Sequence, residues 1–335
     1  MSPKIKFIVA GVILGLIIPP LFQLYLPLNR NGLFKTIEIQ SGMNVKDIAK
    51  LLREEGIIRN KPSFILLARA TNSEKELKSG VYKLSSSLNL IEIFKIIKRG
   101  RSTNFYITIP EGYTIYQIAD LLEREKIISD KQRFIDLTQG KDLIAELNIS
   151  SKSLEGYLFP ETYCFDPLTK EEKIVEVMVN EHKKRVLESQ VYQQQARFLG
   201  LSMHQIMTLA SIIEKEATTS DERPLVSAVF HNRLKEGMLL ESCATVIYAL
   251  GERFNGRLRR ADLHVNSEYN TYLHQGLPPT PISNPGIKSI EAALYPKPVD
   301  YLYFVSKGDG THKFSSNEQE HRDSVIRHQI GLYRR

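Results

Sequence analysis

The chain has 335 residues, 42% of them hydrophobic and 25% charged, which is enough to bury two or three ordinary cores. Its net charge of +7 suits an anionic partner, yet the tightest basic cluster is only Arg257, Arg259 and Arg260, and no zinc-finger or RNP-like motif accompanies it, so nucleic acid is not an expected partner. Two distant cysteines, Cys164 and Cys243, and eight histidines without HExxH spacing argue against a disulfide scaffold and do not predict a metal.

From Phe7 to Leu28 no residue is charged, and about 20 apolar residues suffice to cross a bilayer. Lys4 and Lys6 precede the run and no small-x-small cleavage site follows it. The expectation is therefore a retained single-pass anchor over 7–28, with residues 1–6 in the cytoplasm and the rest outside it, in the cytoplasmic (inner) membrane.

Beyond the anchor the sequence repeats itself at a spacing of seventy residues. Laying Ile37–Leu67 over Ile107–Leu137 matches 14 of 31 positions, among them Gly42 with Gly112, Ile48-Ala49 with Ile118-Ala119, and Phe64-Ile65 with Phe134-Ile135. Each copy opens with strand-like alternation, turns at the glycine and continues into helix. After the first copy, Gly80–Leu84 reads as a second strand and Leu90–Ile97 as a helix. The resulting β-α-α-β order over 36–103 resembles a LysM-type glycan-binding module; a duplicated structural unit without a ligand explains the repeat equally well. The remainder, 104–335, is expected to be an α+β catalytic domain that begins with the second copy (107–137) and includes a helical span from Lys170 to Phe198.

Ser202–Ala217 fits a helix with Ser202 as its N-cap and apolar residues on nearly all sides, the pattern of a buried helix. Glu214 shares a stripe with Met203, Met207, Ala210 and Ala217, so burial is expected to raise its pKa toward that of a general acid. Glu216 is crowded equally by Leu209 and Ile212, and spacing leaves the two glutamates tied. Two residues apart on a helix they point to opposite sides, so they do not make the paired carboxylates of a glycosidase. The plain alternative is that either glutamate merely pairs with Arg223 or Arg233.

Several longer motifs surround this helix: Ser153–Tyr163 (SLEGYLFPETY), Leu209–Ala217, Val229–Leu234, Tyr269–Tyr272, Gly276–Pro279, Asn284–Gly286, Tyr301–Val305 and Gly310–Phe314. Together they resemble the MltG (YceG-like) endolytic murein transglycosylase family, from the anchor to about residue 326. The resemblance implies a membrane-anchored lyase with no cofactor, acting on peptidoglycan glycan strands and working alongside peptidoglycan synthases. It breaks the tie in favour of Glu214 as the catalytic residue. In the implied chemistry Glu214 protonates the bond between N-acetylmuramic acid and N-acetylglucosamine, then takes the proton of the muramyl C6 hydroxyl as that oxygen closes onto C1, leaving a 1,6-anhydro end. Cys243-Ala244 stands where many members carry Asp-Pro.

Candidate substrate contacts are Glu155, Tyr157, Glu216, Asn270, Thr271 and Tyr272, with Phe159 and Tyr163 as further aromatic surfaces. Gly276–Pro279 and Asn284–Gly286 are strong turn signals on any fold. His312 is expected to be structural, and Cys164 and Cys243 buried small hydrophobes. Two rival readings remain: a lysozyme-like hydrolase using Asp221 or Glu222 as its second carboxylate, and a wall-binding scaffold without catalysis.

Overall fold

The computed structural model describes residues 24–29, 32–100, 105–165 and 169–330. Most of the expected anchor, 7–23, lies outside the described residues, and among those described no helix is long and apolar enough to cross a membrane. The fold class is α+β, helices with three two-stranded sheets, and the chain divides into two compact units.

The first unit takes the chain up to Ile107, together with Glu123–Ser129 and Tyr163–Thr169. It contains β1 (Phe34–Ile39), α1 (Val45–Glu54), α2 (Lys61–Ala70), β2 (Gly80–Ser85) and α3 (Leu90–Arg99). β1 and β2 pair antiparallel from Phe34↔Ser85 to Ile39↔Gly80. The turn into α1 needs Gly42, whose φ of +90° disfavours any side chain. Asn44 then caps α1 reciprocally with Asp47. Ile48, Ala49 and Leu52, at helical spacing, join Ile37 and Ile39 of β1, Phe64 of α2 and Ile93 and Ile97 of α3 in one buried core. Each such aliphatic side chain contributes about 1.5–3 kcal/mol by leaving water.

The second copy forms β3 (Phe105–Thr108), α4 (Ile115–Arg124), α5 (Lys131–Gln139), a short α6 (Lys141–Glu146) and β4 (Thr162–Phe165), with β3 paired to β4. It is therefore also β-α-α-β, with α6 interposed and a closing strand that its sequence pattern does not announce. The caps persist although the residues change: Asp130 replaces Asn60 before the second helix, and Thr114 with Gln117 replaces the Asn44–Asp47 box.

The second unit comprises Thr108–Leu122, Asp130–Thr162 and the chain from Lys170 onward. The expected helical span is two helices, α7 (Glu171–His182) and α8 (Gln190–Phe198), separated by a wide turn over Lys183–Leu187. Ser189 caps α8. Next come α9 (Met203–Glu216), α10 (Arg223–Lys235), α11 (Cys243–Leu250), α12 (Ile287–Leu294), the hairpin β5 (Tyr303–Ser306) and β6 (His312–Ser315), and α13 (Glu318–Val325). Ser202 caps α9 in a box with Gln205, and Ile206 through Ile213 are buried without interruption. A helix apolar all round must be enclosed, and α8, α10, α11 and α12 enclose it.

His182, at the end of α7, is 1% exposed, lies edge-on to Tyr157 at 5.2 Å, and has no hydrogen-bond partner on either ring nitrogen. Burial pushes its pKa from 6.5 down to about 3. The unfolded chain takes up a proton below pH 6.5 that the folded chain refuses until about pH 3. Its contribution to stability is thus complete above pH 6.5 and is lost as the pH falls through that window, by up to about 1.4 kcal/mol per pH unit. Urea unfolding at pH 7 and pH 4.5 should show the native chain losing about 2 kcal/mol more than His182→Leu. Equal losses would mean that His182 is protonated in the fold.

Candidate active site

Glu214 lies in the last turn of α9 with its side chain 7% exposed. One oxygen, Oε1, receives Nη2 of Arg223 at 3.3 Å, and the other, Oε2, receives the backbone N–H of Gly286 at 3.0 Å. Arg223 opens α10 and is itself held by Ser289 Oγ (2.9 Å) and Ser220 Oγ (3.0 Å). Both of its carboxyl oxygens are therefore engaged by protein donors. The Arg223 pairing is real, whereas Arg233 turns away to Glu241 and to the carbonyls of Leu239, Leu240 and Leu302.

The turn Glu111–Tyr113 abuts Glu214. Gly112, at φ +74°, would bring a Cβ to 3.3 Å from Glu214 Cγ. Gly112 donates its N–H to the Asn284 carbonyl and Asn284 donates its own to the Tyr113 carbonyl, both at 2.8 Å. Lys215 Nζ reaches the Gly112 carbonyl at 3.3 Å. A second carboxyl, Glu111, which the sequence reading did not single out, thus stands beside Glu214. The signal was present in the repeat: position 41 of the first copy is Ser, and its counterpart is Glu111.

Glu216 points elsewhere, as helix geometry requires. Its Oε1 accepts Ser242 Oγ at 2.5 Å and the Ala244 N–H at 3.5 Å, and burial raises its pKa. Tyr272 lies near it, half-buried, with its hydroxyl 3.1 Å from Cys243 Sγ. Both cysteines are free and exposed, so the buried reading of Cys164 and Cys243 is corrected. Cys164 sits on the outward face of β4, and Cys243 opens α11.

Several residues expected to touch saccharide are interior. Glu155 is 0% exposed; its carboxyl takes the Ile115 N–H at 3.2 Å, Asn284 Nδ2 at 2.9 Å and the Tyr248 hydroxyl at 3.3 Å, and burial outweighs these donors to push its pKa up to about 8. Asn270, 0% exposed, donates to the Leu263 and Val265 carbonyls, and Thr271, 2% exposed, accepts the Ser242 N–H. Tyr157 is buried with its hydroxyl 2.7 Å from His204 Nδ1. Phe159 is buried beneath Arg185, and Tyr163 is buried against Phe165. Their polar groups and rings are occupied by protein partners.

Asn284, read from sequence as part of a turn, is the residue that joins these pieces. Its Oδ1 accepts the N–H groups of Gly156 (3.0 Å) and Leu158 (2.9 Å), and its Nδ2 donates to the Tyr113 carbonyl and to Glu155. Glu222 is engaged by the His312 N–H and Nδ1, at 2.9 and 2.8 Å, so it does not serve Glu214 as a partner. Asp221 is exposed.

In comparison with known proteins, the model of the YceG-like family matches residues 37–327. The chain belongs to the YceG-like family. A Bacillus subtilis relative named endolytic murein transglycosylase is 35% identical over 300 residues, covering 85% of this chain and 82% of its own length. A Streptococcus pneumoniae protein of the same name is 29% identical over 90% of this chain, which spans 60% of that longer protein. The crystal structure of a yceG-like protein from Listeria monocytogenes superposes with a TM-score of 0.63 at 36% identity, over 87% of this chain and 98% of that one.

Arg223→Ala should remove the charge facing Glu214 and leave a buried carboxylate unpaired, costing about 3 kcal/mol of stability. Urea denaturation measures this, and a loss under about 1 kcal/mol would mean that solvent screens the pair.

Proposed function

We propose that this protein is an endolytic murein transglycosylase, a carbon–oxygen lyase that cuts the bond between N-acetylmuramic acid and N-acetylglucosamine within nascent peptidoglycan strands. The observation that carries the reading is Glu214, held between Arg223 and Gly286 at the end of a buried helix, in a chain 35% identical to a relative bearing that name.

In this reading the site gives a proton from Glu214 to the glycosidic oxygen, and the muramyl C6 hydroxyl closes onto C1 while returning a proton to the site. No water is consumed. The nucleophile belongs to the reacting sugar, so the step gains the effective molarity of an intramolecular reaction. Glu216 and Tyr272, which keep surface in solvent, are the expected substrate contacts among those named from sequence. The β-α-α-β unit over 36–103 serves as a LysM-like glycan-holding module for the catalytic region 104–335, and the uncharged run 7–28 anchors the chain with its active site outside the cytoplasmic membrane. Cleavage there would set strand length during wall assembly, beside the synthases that make the strands.

Glu214→Gln should abolish cleavage of purified strands while keeping the fold, since the amide preserves volume but supplies no acid proton. Glu216→Gln should be milder, and an exchange of the two phenotypes would move the catalytic role to Glu216. Digestion in heavy-oxygen water should leave the new muramic ends unlabelled and 1,6-anhydro; label at those ends would establish hydrolysis. A reporter active only in the cytoplasm, fused to Arg335, should give no signal, and a bright fusion would reverse the topology.

A further inference from the structure

Glu111 and Glu214 meet at one residue, Gly286. The backbone of Gly286, at φ −75°, is open to any amino acid, so its conformation does not demand glycine. A Cβ there would fall 2.0 Å from Glu111 Oε1 and 2.1 Å from Glu111 Cδ, so the absence of a side chain lets the Glu111 carboxyl rest against this backbone. The same residue donates its N–H to Glu214 Oε2. The bridge between Gly112, Tyr113 and Asn284 fixes the Glu111 turn in this place from both sides.

The two carboxyls differ in what remains open to them. Both oxygens of Glu214 are engaged by protein donors and its side chain is 7% exposed. Glu111 is exposed, and among the described residues no hydrogen bond occupies its carboxyl. The charges that reach Glu111 are Glu214, Arg223 at the start of α10 and Lys288 in α12; partial burial and the like charge of Glu214 raise its pKa against the two cations. Lys215 is committed to the Gly112 carbonyl.

We propose that Glu111 is a second catalytic carboxyl of this site, meeting the sugar beside Glu214 and sharing with it the one proton that the reaction moves. The proposal rests on the transglycosylase reading and deepens it. In that reaction the C1–O bond to the leaving sugar breaks and the C6 O–C1 bond forms; the leaving oxygen gains a proton, the C6 oxygen loses one, and no electron or water enters. Partial burial and the like charge of Glu214 raise the Glu111 pKa, which favours a proton held at this place. That proton goes to the leaving oxygen, the C6 proton returns to the pair, and the pair ends as it began.

The test is steady-state cleavage of purified glycan strands by the full-length chain across pH 4–9, for wild type, Glu111→Gln, Glu111→Asp and Glu214→Gln, with thermal unfolding of each. Glu111→Gln should keep its melting temperature and its KM while kcat falls about 100-fold, with loss of one limb of a bell-shaped profile. Glu111→Asp should recover part of kcat, because it can still carry the proton. A Glu111→Gln enzyme with wild-type kcat and an unchanged profile would overturn the proposal, and so would a rise in KM alone. Wild-type activity in Glu214→Gln would instead overturn the underlying assignment of Glu214, an outcome the same data separate from the first.

Discussion

The active-site geometry depends on the buried side chain of Asn284. With both backbone groups and both ends of its amide bonded, it ties the Glu111–Tyr113 turn and the Gly156–Leu158 turn to the segment that delivers the Gly286 N–H to Glu214. Both turns lie more than a hundred residues before that segment, and all three contribute little regular structure. A buried amide with every donor and acceptor satisfied specifies one arrangement, because any shift leaves a polar group unpaired at a cost of about 1–3 kcal/mol. Asn284 is 0% exposed, so water is not there to replace a lost partner.

Glu155 extends the same logic. It is a carboxyl enclosed by Ile115, Asn284 and Tyr248, and burial raises its pKa to about 8 despite three donors. Near neutral pH it is thus mainly protonated, with the Tyr248 hydroxyl placed to share its hydrogen. It links the N-terminus of α4 to α11 and to the Asn284 hub. A carboxyl so placed does not meet a ligand; it sets the positions of groups that do.

Where the sequence was legible, a local periodic signal was strong. The run of Ile206–Ile213 and the Ser202 cap predict α9 and its burial, and the repeat with its turn glycines predicts β1 through α3. Within the candidate site the sequence singled out Glu214, and it did so through resemblance more than through spacing. Glu155, Asn270 and Thr271 look in sequence like polar residues awaiting a sugar, because a polar group buried on protein partners and one facing a ligand have the same letter. For Glu155 and Thr271 the pairing that separates them is made by residues 26 to 129 positions away, and for Asn270 by an irregular loop 5 to 7 positions back. Asn284-Pro285-Gly286 reads as a turn for the same reason: its local conformation is encoded locally, and its partners are not.

Gly286 carries this contrast to its end. A glycine after Asn-Pro invites the explanation that the backbone turns sharply, yet its φ of −75° suits any residue. What a Cβ would meet there is the carboxyl of Glu111, carried by a turn whose first-copy counterpart has Ser41 in that position. The duplication supplied a glycine turn leading into a capped helix, already rigid for reasons of its own. Exchanging one exposed residue on that turn was enough to set a carboxyl against Glu214, since the backbone holding it was built by the repeat. The first copy keeps the turn, with Gly42 at φ +90°, and lacks the carboxyl. The carboxyl of Glu111 thus has no counterpart in the first copy, while the turn that holds it and the helix that follows do.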